Sequence, residues 1–241
     1  MKAAFITRTG DPDVIEYGDL PDPEPGSGQV LVRVEAVAVN PIDTYVRGGL
    51  VSVELDYPYT IGCDLAGTVE ACGEGVDRFS VGDRVWGSNQ GLLGRPGTFS
   101  ELAAVDQQWL YLAPDGVASE LLAAGALVGL TAHLGLFLHA GVGQSDLVFV
   151  NGGTGGVGAA VVQLAKGAGA RVAATVGSTE KQEICRSLGA DLVVDYHDPD
   201  MDRILAEFTA GNGGIDVWFE TLREPTLERT IELMAKRGRV V

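Results

Sequence analysis

Residues 145–181, SDLVFVNGGTGGVGAAVVQLAKGAGARVAATVGSTEK, leave this chain few choices of fold. An apolar run, Leu147–Val150, meets a cluster of glycines; an Ala/Val/Leu-rich helical stretch follows, then a second β-branched run at 171–176. In the spacing Gly153-x-Gly155-x-x-Gly158 the first glycine allows a tight turn and the second lets the backbone approach a pyrophosphate. The third lets the helix lie close on the strand. The start of that helix presents N–H groups and a partial positive charge to phosphates. Many structural turns contain such glycines, but here a strand precedes them, a helix follows, and a second strand arrives on schedule. The segment predicts a strand–turn–helix–strand unit whose turn, with Thr154, Gly156 and Val157 between its glycines, binds a dinucleotide.

The rest of the chain divides around this unit. From about Val117 helical segments alternate with strands at 147–150, 172–176, 192–194, 217–219 and 238–241, the pattern of a doubly wound parallel sheet. Before it, short β-rich runs at 3–7, 14–17, 30–39, 66–70, 83–86, 99–105 and 110–112 alternate with Gly and Pro turns, which predicts a small barrel or sandwich. The expected domains are 1–122 and 123–241. Segment 121–138 is uncharged and near the lower length limit of a membrane span. Gly125, Gly129 and Gly135 interrupt it and His133 lies within it, so a buried helix pair is expected and no membrane. The closing KRGRVV falls inside the fifth parallel strand without cap or turn, and the chain reads as a fragment truncated there.

A formal charge of −16 argues against nucleic-acid or anionic-membrane partners. Three scattered cysteines, Cys63, Cys72 and Cys185, make no disulfide framework. The N-terminus carries no apolar signal region, and a cytoplasmic location is expected.

Five segments, VNPIDTYVRGG (39–49), GCDLAGTVEACGEGV (62–76), VGDRVWG (81–87), ALVGLTAHLGL (126–136) and NGGTGGVGAAVVQLAK (151–166), spread over most of the chain. Together they resemble the medium-chain dehydrogenase/reductase superfamily, in its zinc-independent NADPH:quinone oxidoreductase (zeta-crystallin-like) branch. The resemblance implies an N-terminal GroES-like β-barrel followed by a Rossmann doubly wound sheet, and a homodimer when full length. Zinc-dependent relatives have a cysteine where Asn40 stands and a His-Glu pair where Cys63-Asp64 stands. They also carry a four-cysteine lobe, which is lacking here. No metal is therefore expected, and Cys63 reads as a small buried filler. Asn40 and Tyr45 match family positions that face the substrate, with Asn40 as a hydrogen-bond donor and Tyr45 as a donor of a hydrogen bond or proton. Alternatively, Asn40 before Pro41 caps a turn and Tyr45 packs. Asp43 matches a residue that orients the following helix turn. Thr131 matches a threonine near the nicotinamide-side phosphate or ribose; its other reading is a satisfied helical hydroxyl.

The end of the second parallel strand separates the nicotinamide cofactors. NAD enzymes usually place Asp or Glu there to bond the ribose 2′-hydroxyl. Here Val176 leads into Gly177-Ser178-Thr179, with no carboxylate to repel a 2′-phosphate. Ser178 offers a hydroxyl and Lys181 a cation one turn onward. Tyr196 matches a family tyrosine beside the adenosine phosphate. The expected cofactor is NADPH (NADP+). The turn from Glu220 to Pro225 follows the fourth strand at the sheet's carboxyl edge, which puts Thr221 among the cofactor contacts; Arg223 is expected to pair with Glu224. The expected activity is hydride transfer from NADPH to a small-molecule quinone or α,β-unsaturated carbonyl (enone). The rivals are a non-catalytic NADPH-binding sensor or structural protein and a zinc-free alcohol dehydrogenase-like enzyme.

Overall fold

The computed structural model describes residues 1–51, 54–222 and 227–241. It forms two compact units, Met1–Leu127 and Val128–Val241, with the division inside one helix.

The first unit is built on short strands: β1 (Lys2–Ile6), β2 (Ile15–Asp19), β3 (Gln29–Ala36), β4 (Tyr59–Thr60), β5 (Leu65–Cys72), β6 (Arg84–Gly87), β7 (Leu102–Asp106) and β8 (Leu110–Leu112), with the helix α1 (Pro41–Arg47) between β3 and β4. A three-stranded sheet runs β2-β1-β4 and a five-stranded one β7-β3-β5-β6-β8, both antiparallel. Alternation along β3 sends Val30 and Val32 into a core with Leu65, Val69, Val85, Val105 and Leu110. The strand expected at 99–105 begins later, at Leu102, because its first residues serve the other sheet: Ala4 N–H donates to Phe99 O and Ser100 bridges to Ala3.

The segment expected as a buried helix pair is one helix, α2 (Ser119–His133), which continues through a π turn, Leu134–His139. Only 28% of its most apolar window is buried, and Leu121, Leu134 and Leu138 are exposed. Glycine weakens a helix by about 1 kcal/mol per position without breaking it, and nothing in this segment supplies a turn. Gly135 has a different use: a side chain there would meet the Phe219 ring, 2.5 Å away. Ala132, Leu136 and Ala140 on the inner side join the core of the second unit. By length and apolarity alone, 119–139 would suffice to cross a membrane.

The second unit continues with β9 (Leu147–Val150), α3 (Gly156–Gly167), β10 (Arg171–Val176), α4 (Thr179–Ser187), β11 (Leu192–Asp195), α5 (Met201–Thr209), β12 (Ile215–Phe219), α6 (Leu227–Leu233) and β13 (Met234–Val240). The five strands are parallel in the order β11-β10-β9-β12-β13. β9 is buried on both faces. Val148 and Val150 pack with Val161 and Val162 of α3, while Leu147 and Phe149 pack with Leu205 of α5. That explains its uninterrupted apolar sequence. The chain leaves β9 toward β10 on one side and later reaches β12 on the other, so the sheet's switch point lies at the carboxyl ends of β9 and β12. β13 begins directly after α6, four residues before the expected Gly238.

Candidate functional site

The glycine turn occupies that switch point. Gly158 is buried at the first turn of α3, where any side chain would collide with the Gly152 carbonyl. Gly153 is buried against Ala174 and Cys185. The N-cap of α3 is Gly155, with no side-chain hydrogen bond to the helix start; Gly155 and Gly156 are exposed, and Thr154 and Val157 half-buried. Backbone alone therefore lines the turn, with the positive end of a helix beneath it.

The ends of β10 and β11 lie side by side, with Val176 in register with Asp195 and Tyr196 N–H donating to Val176 O at 3.0 Å. Tyr196 packs its phenol over Gly177, where a Cβ would strike the ring. Ser178 caps α4: its Oγ accepts from Lys181 N–H at 3.3 Å, which leaves the hydroxyl proton to give. Lys181 is exposed one turn into the helix. The acidic neighbour Glu180 is exposed on that same turn.

A cavity of about 390 Å³ opens at the same edge of the sheet, lined by Asn151, Gly152, Tyr196, Trp218, Glu220 and Arg229 among others. Thr221 donates its hydroxyl to Asn151 O and so ties the end of β12 to the start of the turn. Thr131 lies on the exposed side of α2. The Arg223–Glu224 pair falls outside the described residues.

In the first unit a cluster of buried polar groups surrounds the start of α1. Asn40, 5% exposed, is the N-cap of α1, and its backbone N–H donates to Asp43 Oδ2 at 2.7 Å. Its Nδ2 donates to Asp64 Oδ2 at 2.8 Å. Leu127 N–H reaches the same oxygen at 3.2 Å, and Thr98 Oγ1 donates to Asp64 O at 2.7 Å. Burial raises Asp43 to about 6, with Asp64 nearby adding to the effect, and burial likewise raises Asp64. Tyr45 stands half-buried on α1 beyond this cap. Asn40 and Asp43 thus share one hydrogen-bonded cap, with Tyr45 on the helix they start.

Sequence reasoning missed the partners of these groups. Asp64 and Thr98 lie 24 and 34 residues from their counterparts, beyond any local pattern. Asn151, Thr175 and Glu220 form a second such group around the glycine turn. Asn151 immediately precedes the glycines, the only local signal for it.

Among the described residues the donors needed for zinc do not assemble. A catalytic zinc takes three protein ligands, usually His, Cys or carboxylate. Among the described residues no three such side chains converge. The Cys63 thiol is pushed up to about 11 by burial, and the Asp64 Oδ2 is committed to Asn40 and Leu127.

Comparison with known proteins agrees with this architecture. Residues 26–115 match the alcohol dehydrogenase GroES-like domain and residues 156–241 the zinc-binding dehydrogenase domain. A quinone oxidoreductase from Sus scrofa is 35% identical over 243 aligned residues, covering all of this chain and 72% of the relative. A solved NAD-dependent alcohol dehydrogenase superposes with a TM-score of 0.93 at 34% identity, over all of this chain and 76% of its own. A mycobacterial protein solved in complex with NADPH superposes at 0.88 with 36% identity, over all of this chain and 73% of its own. With a GroES-like unit, a parallel Rossmann-type sheet and this likeness along its whole length, the chain belongs to the quinone oxidoreductases of the medium-chain dehydrogenase/reductase superfamily.

Proposed function

We propose that the chain is a cytoplasmic, NADPH-dependent reductase of quinones and enones that works without zinc. The observation that carries this is the end of β10: no carboxylate stands where a ribose 2′-hydroxyl would be held, and Ser178 and Lys181 stand there instead. The glycine turn receives the pyrophosphate on the N–H groups of Thr154, Gly156, Val157 and Gly158, with Gly155 as the helix cap whose own N–H closes the turn on the Gly152 carbonyl. Gly177, Ser178, Lys181 and Tyr196 hold the 2′-phosphate end, and the cavity beside Tyr196 takes the adenosine. Thr131 and Thr221 serve the nicotinamide half.

The bound nicotinamide supplies the hydride, which a conjugated carbonyl accepts at its β-carbon without a Lewis acid. The Tyr45 hydroxyl holds the acceptor oxygen, where negative charge develops. Asn40, whose amide is buried on Asp64, acts as a positioning residue that fixes the start of α1 under Tyr45. Three unpaired thiols suit a reducing compartment.

Stopped-flow oxidation of NADPH with a quinone and with a 2-enal tests the reading; turnover with at least one acceptor, faster than with NADH, is expected. NADPH binding without oxidation by either acceptor would leave a nucleotide-binding sensor. NAD-dependent oxidation of an alcohol, the activity named for one similar structure, would replace the proposal with a dehydrogenase.

A further inference from the structure

Asn151 meets Glu220 across the switch point from 69 residues away in sequence. The Asn151 Nδ2 donates to both carboxylate oxygens of Glu220 at 3.2 Å. Glu220 also accepts from Trp218 Nε1 at 3.1 Å and from Leu222 N–H at 2.8 Å. On its other side, the Asn151 Oδ1 accepts from Thr175 Oγ1 at 2.7 Å. The same threonine oxygen accepts from Gly152 N–H at 3.0 Å, and the Thr175 carbonyl accepts from Gly153 N–H at 2.8 Å. Thr175 itself is fully buried in β10.

This chain of bonds has one direction. A carboxylate only accepts, so Asn151 must turn its NH2 to Glu220 and its carbonyl to Thr175. The Thr175 oxygen is taken by Gly152 N–H, so its single proton goes to Asn151. Every donor from Gly152 to Asn151 therefore points toward Glu220, and reversing any link would set donor against donor. The entry to the glycine turn, Gly152 and Gly153, is pinned by a residue just past the end of β12, three crossovers further along the chain.

We propose that Glu220 is a positioning residue for the dinucleotide: through Asn151 and Thr175 it holds the glycine turn in its binding shape before the ligand arrives. Affinity then does not have to bear the ordering of the turn. The inference rests on the reading of this turn as the NADPH site. It goes beyond that reading by assigning its geometry to Glu220, whose oxygens are occupied by protein donors.

The test is a charge-and-donor swap around one pair, read by NADPH titration and by amide hydrogen exchange. Glu220→Ala is expected to weaken NADPH binding about tenfold, the loss of a charged hydrogen bond. The loss should appear in KM for NADPH more than in kcat. Asn151→Asp sets two carboxylates against each other and is expected to weaken binding further. The double variant Asn151→Asp with Glu220→Gln restores the link between the two residues, because the glutamine NH2 donates to the new aspartate while its carbonyl keeps one of the two protein donors, Leu222 N–H, that in wild type bond separate oxygens of Glu220. It is expected to recover most of the affinity lost in the Asn151→Asp variant. A merely structural role for Glu220 predicts no such rescue. Exchange at Gly152 and Gly153 needs no ligand and should quicken in Glu220→Ala and return toward wild type in the double variant. Wild-type affinity and exchange in Glu220→Ala, or a double variant no better than Asn151→Asp, would overturn the inference. If wild type bound no NADPH while exchange followed the swap, the cofactor reading would fail and the positioning of the turn would stand. Glu220→Gln keeps the shape of the site should the alanine variant not fold.

Discussion

The glycine turn of the second unit and the α1 cap of the first handle polarity in opposite ways. The glycine turn exposes backbone at a helix start, with Glu220 just past the end of β12 bonded to Asn151 beside it. The first unit buries two carboxylates, Asp43 and Asp64, around Asn40 and bonds them through the N–H groups of Asn40 and Leu127. A backbone site is fixed by where side chains cannot be; a side-chain site is fixed by which groups tertiary contact brings together. Substitutions at the glycines of the turn should therefore fail by collision, and those around Asn40 by lost partners or altered titration.

The largest effect is expected at Gly158. A valine there would collide with the Gly152 carbonyl, and overpacking against backbone costs about 3 kcal/mol or more, roughly a hundredfold in a binding constant. Thermal melting together with NADPH titration checks it; a Gly158→Val protein that binds normally would erase the contrast between the units.

Next comes the titration of Asp43, raised from 3.8 to about 6. Between these values the folded state holds a proton that the unfolded state has released. The stability it contributes is complete below pH 4 and is lost as pH rises through 6. The shift corresponds to as much as about 3 kcal/mol. Denaturant midpoints measured from pH 4 to 7 should fall, and Asp43→Asn should flatten that fall.

Asp64→Ala is expected to destabilise the protein by about 2 kcal/mol, since Asn40 Nδ2 and Leu127 N–H lose their acceptor. NADPH affinity should stay that of wild type, because this network and the glycine turn share no residue. A matching loss of affinity would show that the two units do not act independently. The smallest effect is expected at Lys181. Its replacement by alanine should weaken NADPH about tenfold and leave NADH unchanged. Parallel titration with the two cofactors decides it, and equal losses would remove Lys181 from the 2′-phosphate end.

Much of the second unit was legible before any coordinates. The parallel strands, the glycine turn between β9 and α3, and the carboxylate-free end of β10 all follow from short-range spacing, because each is made by residues adjacent in sequence. The helix α2 was legible as apolar but not as exposed. Its residues are apolar nearly all round, so periodicity could not tell which side would be covered, and only Ser119, Ala123, Ala126, Ala132, Gly135 and Leu136 are buried along it and its π turn. The start of β7 was misjudged because Phe99 and Ser100 bond to β1, a partner nearly a hundred residues away.

The sequence by itself determined where the backbone can turn tightly, which stretches bury both faces, and which strand end is free of carboxylate. Steric exclusion, pleat period and the chemistry of single residues act over a few positions and are written in order along the chain. Tertiary structure alone decided that Asn40 would spend its amide on Asp64 and that Glu220 would hold the glycine turn through Asn151. Those bonds join residues 24 and 69 positions apart. A hydrogen bond depends on distance and direction in space, and only the packed sheets set these.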